Sequence, residues 1–259
     1  MHKSIYQNEE FARYWNDRAG DTGEVYKRFV LDPIMLKLVG PLQNKSIIEL
    51  GCGNGYLGKT LVAQDPKRVI MMDISHHNLQ FAKEKCDDKR LKFLQQDATQ
   101  PWHVESQTTD VVYSNMMLNE IEDIAVPIQE AYRVLKKGGA FVFSVTHPAW
   151  DLYVYAQQKV GVDSGKIQGL GNYFRRGFAD FMMGGNNNSN PKLKYKYKKV
   201  FAVEHYQRPV SDYFNQLTSV KFIVRRLEEP EITNELLQKV PGYVAQNDHP
   251  MGLIFFAIK

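Results

Sequence analysis

Residues 47–61 read IIELGCGNGYLGKTL, placing glycines at 51, 53, 55 and 58 directly after an apolar run, with the acidic Glu49 two positions before the first of them. Glycine has no Cβ, so a glycine turn between a strand and a helix lets backbone approach a ligand closely. The helix N-terminus adds N–H donors. A nucleotide or an anionic group suits such a loop. Two registers compete: Gly53, Gly55 and Gly58 spell the dinucleotide pattern G-x-G-x-x-G, whereas Gly51, Gly53 and Gly55 make a tighter turn behind Glu49. The apolar run stops at Leu50, so the first turn glycine is Gly51, and a dinucleotide loop would then need a glycine where Tyr56 stands. A nicotinamide ligand is therefore disfavoured.

Histidines supply the next chemistry. His147 ends the apolar stretch AFVFSVT and precedes Pro148; it reads either as a general base entering a pocket or as a strand-end group bonded to backbone. His205, in VEHYQ, is the second catalytic candidate, and on a strand only one of His205 and Tyr206 faces inward. Glu120 reads as a helix-start charge, and His76 and His77 as capping or surface groups. No spaced His, Cys and carboxylate set points to a metal.

These groups need a scaffold. The apolar runs SIIEL (46–50), RVIMMD (68–73), LKFLQQD (91–97), DVVYSN (110–115) and AFVFSVT (140–146) read as buried strands. Helical spacing lies between them in YLGKTLVAQ, HHNLQFAKEKC and IAVPIQEAYRVLKK, the last closed by Gly138 and Gly139. The β-α-β alternation predicts a parallel, doubly wound sheet with its ligand at the carboxyl ends of the strands. Residues 1–40 read as a helical cap, 41–147 as the core, 148–204 as an inserted lid and 205–259 as a part completing the sheet, all in one domain. In the final part PVSDYFNQLTSV reads as a helix, and FIVRRLEE and GLIFFAIK as strands. KLKYKYKKVFAVEHY alternates like an exposed strand, and GGNNNSN (184–190) reads as a solvated turn.

Bulk properties narrow the class. The 259 residues carry 43% hydrophobic content and a formal charge of +4 from 33 basic and 29 acidic residues, enough for a core and too balanced for a dedicated nucleic-acid binder. Cys52 and Cys86 are the only cysteines, which excludes a disulfide framework and suits a reducing compartment, so a cytoplasmic location is expected. No segment has the length and apolarity of a membrane span or the core of a signal peptide.

The stretch ELGCGNG resembles motif I of the class I methyltransferases that use S-adenosylmethionine, and the resemblance continues in order along the chain. It is similar to the small-molecule branch of that family. The resemblance implies a Rossmann-like, mostly parallel seven-stranded sheet with an antiparallel last strand. It also implies cofactor contacts from Glu49, Gly51, Cys52, Gly53 and Gly55. Asp73, with Ile74 beside it, resembles the acidic residue that accepts from the ribose hydroxyls. Asp97 and Ala98 resemble the pair facing adenine, and Asn115 and Met116, in DVVYSNMMLNEI, resemble residues lining the methionine portion. YRVLKKGGAFVFSV and HYQRPVSDYFNQLTSVKFIVRRLEEP are similar to later stretches of the same branch.

The expected function is methyl transfer to a small-molecule acceptor at O, N or C, by in-line displacement. The enzyme's task is then to align the acceptor and exclude water, with aromatics such as Tyr14, Trp15 or Tyr26 walling the pocket and Arg13 or Arg28 as possible partners of the cofactor's carboxylate. Alternatives are an RNA or protein methyltransferase, or a binding protein that holds the cofactor without transfer. The lysines of KLKYKYKK (192–199) suit RNA phosphates, yet an edge strand carries lysines for solubility, and NMML lacks the pattern of nucleic-acid amino methylation. A monomer or homodimer without nucleic acid or membrane is expected.

Overall fold

In the computed structural model, residues 4–150, 173, 176–184, 196, 199–239 and 250–259 are described. Most of the expected lid, including GGNNNSN from 185 on and most of KLKYKYKK, lies outside them.

Seven strands form one sheet: β1 (Ser46–Leu50), β2 (Arg68–Asp73), β3 (Leu91–Gln95), β4 (Thr109–Asn115), β5 (Leu135–Thr146), β8 (Ile223–Glu228) and β9 (Gly252–Ile258), in the order β3-β2-β1-β4-β5-β9-β8. The pairs from β3 through β5 are parallel, while β9 runs antiparallel between β5 and β8. The mostly parallel sheet with one reversed strand thus matches expectation. β1 is buried at all five positions because both sheet faces are covered, which is why its sequence is a continuous apolar run rather than an alternation.

Helices α3 (Gly58–Val62), α4 (His76–Lys85) and α5 (Ala125–Val134) connect successive strands. The helix expected to close at Gly138 and Gly139 ends earlier, at Val134. Leu135 already pairs with Thr109, and the two glycines lie in a register shift before Ala140 pairs with Val111. Strand pairing, which also bonds the Gly138 N–H to the Lys259 carbonyl at 2.9 Å, overrides the local glycine signal.

The N-terminal segment forms α1 (Glu9–Ala19), capped by Asn8, whose side chain accepts from the Phe11 N–H. Then comes a π-helical turn (Lys27–Leu31) running into α2 (Asp32–Val39), which ends at Gly40. A hairpin of β6 (Gly177–Gly184) and β7 (Val200–Gln207) stands apart from the main sheet. Within KLKYKYKKVFAVEHY the described strand is β7, which alternates as expected, with Phe201 and Val203 buried against Phe11 and Tyr14 of α1. Helices α6 (Val210–Ser219) and α7 (Asn234–Lys239) flank the closing strands.

Candidate active site

β1 lies between β2 and β4, so connections leave it in opposite directions and a crevice opens beyond its carboxyl end. The glycine loop fills that position. Left-handed φ values fall at Gly51 (+73°), Gly53 (+54°) and Gly55 (+71°), whereas Gly58 opens α3. The loop is tied to β2: the Gly51 and Cys52 N–H groups donate to the Met72 carbonyl at 2.8 and 3.0 Å, and the Gly53 N–H donates to Asp73 Oδ2 at 2.8 Å. Close approach is required at Gly51 and Gly55, where a Cβ would meet the Met117 side chain at 2.4 Å and the Ala82 backbone at 2.7 Å.

Glu49, Gly51, Cys52, Gly53 and Asn115 line one cavity, as the sequence groups them. Trp15, Glu24, Lys27 and Tyr56 complete it. Glu49 is 4% exposed, and its Oε2 has no hydrogen-bond partner among the described residues; burial, with Asp32 nearby, pushes its carboxyl well above the ordinary range. Lys27 donates to the Asn115 carbonyl at 3.0 Å and sits 5.6 Å from the Trp15 ring centroid. Burial lowers its ammonium pKa, against the pull of Asp32 and Glu24. The cavity therefore presents the buried Glu49 carboxylate, the partly buried Glu24 carboxylate and the partly buried Lys27 ammonium.

Sequence reading missed Lys27 and named Arg13 and Arg28 instead. Arg13 pairs with Glu9 at 2.7 Å, and Arg28 donates to Thr22 at 2.9 Å. The available signal was a lone lysine amid apolar residues in YKRFVL, obscured because the π turn breaks the 3.6-residue period. Beneath the cavity, Asp32 is a second missed residue. Its carboxylate accepts from Tyr113 at 2.7 Å, Asn115 at 2.6 Å and Tyr56 at 3.0 Å, and burial raises its pKa against those bonds. Asn115 Oδ1 in turn accepts from Ser144 at 2.7 Å.

Asp73 is buried at the end of β2 with its two oxygens accepting from the Gly53 N–H and, at 2.9 Å, the Ser75 N–H; burial raises its pKa despite these donors. Ile74 follows half-buried, its carbonyl accepting from Gln95. Asp97 folds back on itself, accepting from the Thr99 N–H and hydroxyl at 2.8 and 2.7 Å, and the Ala98 carbonyl accepts from the Trp102 indole at 3.1 Å. Met116 takes a left-handed φ of +55° just after Asn115.

The two histidines part company. His147 Nδ1 accepts from the Ala149 N–H at 3.0 Å and Nε2 meets Glu229 Oε1 at 2.9 Å, so both ring nitrogens are engaged at the entry to β9. These contacts are those of a strand-end group, and His147 is not among the described residues that line the cavity. His205 is buried, its Nδ1 3.4 Å from Asn119 Nδ2 and 3.7 Å from Glu120 Oε1. Of the lysines of KLKYKYKK, Lys196 pairs with Asp17 at 2.5 Å and Lys199 with Glu10 at 2.6 Å, so both are engaged by α1. Among the described residues no helix is long and apolar enough to cross a membrane.

Comparison with known proteins agrees with this geometry. Residues 48–143 match a family model described as a methyltransferase domain. The chain is 29% identical over 133 residues to a malonyl-[acyl-carrier protein] O-methyltransferase of Priestia megaterium, covering 49% of this chain and 48% of that protein. It is 27% identical over 149 residues to a ubiquinone biosynthesis O-methyltransferase of Hydrogenovibrio crunogenus, covering 57% and 61%. The chain thus matches about half the length of these curated relatives. The solved S-adenosylmethionine-dependent methyltransferase of Mesorhizobium loti superposes with a TM-score of 0.73 at 23% identity, over 93% of this chain and 100% of that one, a likeness of fold.

Proposed function

We propose that the chain, whose residues 48–143 match a methyltransferase domain model and whose fold resembles that of a solved S-adenosylmethionine-dependent methyltransferase, transfers a methyl group from S-adenosylmethionine to an oxygen of a small-molecule acceptor. The cofactor supplies a methyl carbon made electrophilic by its sulfonium. One observation carries the reading: Glu49, with an orphaned buried oxygen, and Lys27 share the cavity beside the glycine loop. A buried charge without a partner is costly, so the pair is complementary to a zwitterion, with carboxylate for an α-ammonium and ammonium for an α-carboxylate. The methionine portion of the cofactor is such a group. Asp73 retains a lone pair for a ribose diol beyond its bonds from the Gly53 N–H, the Ser75 N–H and the Asn78 amide, and Asp97, whose Oδ1 serves Thr99, keeps Oδ2 for an adenine amino group. The O-methyltransferase names of the curated relatives support an oxygen acceptor.

Calorimetry separates the parts of this claim. S-adenosylhomocysteine should bind the wild type, and Lys27→Met and Glu49→Gln should each weaken it by tenfold or more. The same substitutions should leave 5′-methylthioadenosine, which lacks the amino acid, within about threefold, because a lost charged hydrogen bond is worth about 1.5–3 kcal/mol. Equal losses for both ligands would remove Glu49 and Lys27 from the amino-acid subsite. We further place the protein in the cytoplasm as a monomer or homodimer, with residues 148–204 covering the acceptor; its two cysteines, both free and buried, support a reducing compartment.

A further inference from the structure

A second polar cluster lies just beyond Asn115, which lines the cavity. After Asn115 the chain forms a 3₁₀ turn, Leu118–Glu120, and this turn is held from outside: the buried Arg208 guanidinium donates to the carbonyls of Leu118, Ile121 and Glu122. Glu120 is the side chain that this arrangement displays. Its Oε2 accepts from the Tyr6 hydroxyl at 2.8 Å, and its Oε1 accepts from Asn119 Nδ2 at 2.5 Å and lies 3.7 Å from His205 Nδ1. The carboxylate and imidazole side chains are 17% and 8% exposed. Aromatic groups wall the cluster: Tyr6 packs edge-on against Phe11 at 5.3 Å, and Phe11 stacks toward Trp15, which lines the cavity.

Two donors, Tyr6 from the N-terminal turn and the adjacent Asn119, hold this one carboxylate, and the buried His205 imidazole from β7 stands 3.7 Å from it. The electrostatics tie the cluster to the cavity. Glu120 stabilises the Lys27 ammonium, and the Tyr6 phenol, pushed far up by burial first, feels both Glu120 and Asp73. The titratable groups facing Glu120 are therefore Tyr6 from the N-terminal turn, His205 from β7, Lys27 from the π turn and, through Tyr6, Asp73 and Glu204.

We propose that Glu120 is the general base on the acceptor side of this site, oriented by Tyr6 and Asn119, with His205 behind it to carry the proton away, and that the acceptor is an aromatic hydroxyl. This rests on the methyl-transfer reading above. As the hydroxyl oxygen bonds to the methyl carbon, the carbon–sulfur bond breaks with its electron pair passing to sulfur, and the hydroxyl proton moves to the Glu120 carboxylate. His205 then takes that proton and releases it to solvent. A base is needed only where the acceptor still holds its proton.

The test uses 4-nitrocatechol, whose absorbance reports its own ionisation, with full-length protein saturated with S-adenosylhomocysteine. The probe should bind the wild type and ionise there about one pH unit or more above its value in solution, because a neighbouring carboxylate disfavours a second negative charge. Glu120→Gln should abolish that displacement while S-adenosylhomocysteine affinity stays within about threefold. Glu120→Asp, which keeps the charge, should retain most of it, and this second variant guards against a fold defect in the first. No binding of the probe to the loaded wild type, or the same ionisation in wild type and Glu120→Gln, would overturn the proposal. If S-adenosylhomocysteine itself failed to bind the wild type, the methyl-transfer reading would fall and this proposal with it.

Discussion

At the scale of single residues, the site trades stability for a ligand. Burial raises the native pKa of Glu49, so between the ordinary carboxylate pKa of about 4.3 and that raised value the folded chain holds a proton that the unfolded chain releases. Stability from this group is then intact at low pH and is lost as pH rises through the native pKa. Glu49→Gln should accordingly melt like the wild type near pH 4 and be more stable near pH 7, by on the order of 1 kcal/mol. Thermal melts across that range would read it; a variant no better at pH 7 than at pH 4 would mean that Glu49 is already well paired in the free protein. Two glycines make a second contrast. Gly55→Ala forces a Cβ to within 2.5 Å of Ala82 Cβ at a φ of +71°, whereas at Gly138, with a φ of +77°, a Cβ meets nothing within 4 Å. The first should cost about 2–4 kcal/mol, combining left-handed strain with overpacking, and the second about 1 kcal/mol of strain alone. Urea unfolding of the two variants would separate clash from conformation, and equal losses would contradict the close approach of the loop to α4.

At the scale of elements, Asp32 joins the N-terminal helices to the sheet. It begins α2, and its one carboxylate serves Tyr113 and Asn115 of β4 and Tyr56 of the glycine loop. Asp32→Ala would leave two buried donors of β4 unpaired and should cost about 3 kcal/mol, even though Asp32 is itself a buried charge with a raised pKa. Denaturant titration with Tyr113→Phe as the companion change should show coupling, since the two remove one hydrogen bond; strictly additive losses would mean that they act separately. The same elements show what a sequence reveals. SIIEL and RVIMMD coincide with β1 and β2 residue for residue, because strands buried on both faces are written as unbroken apolar runs. β5 is longer than its apolar run, because Leu135 pairs with Thr109 of β4 and Gly138 and Gly139 bond to Lys259, a non-local cause. The glycine loop was legible since its chemistry is local. Lys27, Asp32 and Tyr6 were not, because they act on Asn115, Tyr113 and Glu120, residues 88, 81 and 114 positions away.

At the scale of the whole molecule, three parts meet over the crevice: the sheet's carboxyl ends, the N-terminal cap and the β6–β7 hairpin. α1 lies across the glycine loop, with Trp15 Nε1 3.4 Å from where a Cβ on Gly53 would stand, and the Asn54 amide beneath it donates to Asn16 Oδ1 and the Gly20 carbonyl at 3.1 and 3.0 Å. Its other ties include the apolar cluster of Phe11, Tyr14, Phe201 and Val203, the pairs of Asp17 with Lys196 and Glu10 with Lys199, and, from the turn after it, a bridge from Asp21 to Lys85 of α4. These contacts are few compared with those of β4, which is paired on both sides and buried at six of seven positions. Regions with fewer buried contacts open at lower free energy than the core, so α1 should lift while the sheet stays closed. A ligand on Gly51–Gly53 lies under α1, so entry requires that opening and binding should suppress it. Hydrogen exchange should therefore run faster in residues 9–20 than in β4, slow in those residues when S-adenosylhomocysteine is added, and speed up in Asn54→Ala with β4 unchanged. A single shared exchange rate for α1 and β4, indifferent to the ligand, would mean that the cap belongs to the core and that the crevice is reached from the hairpin side instead.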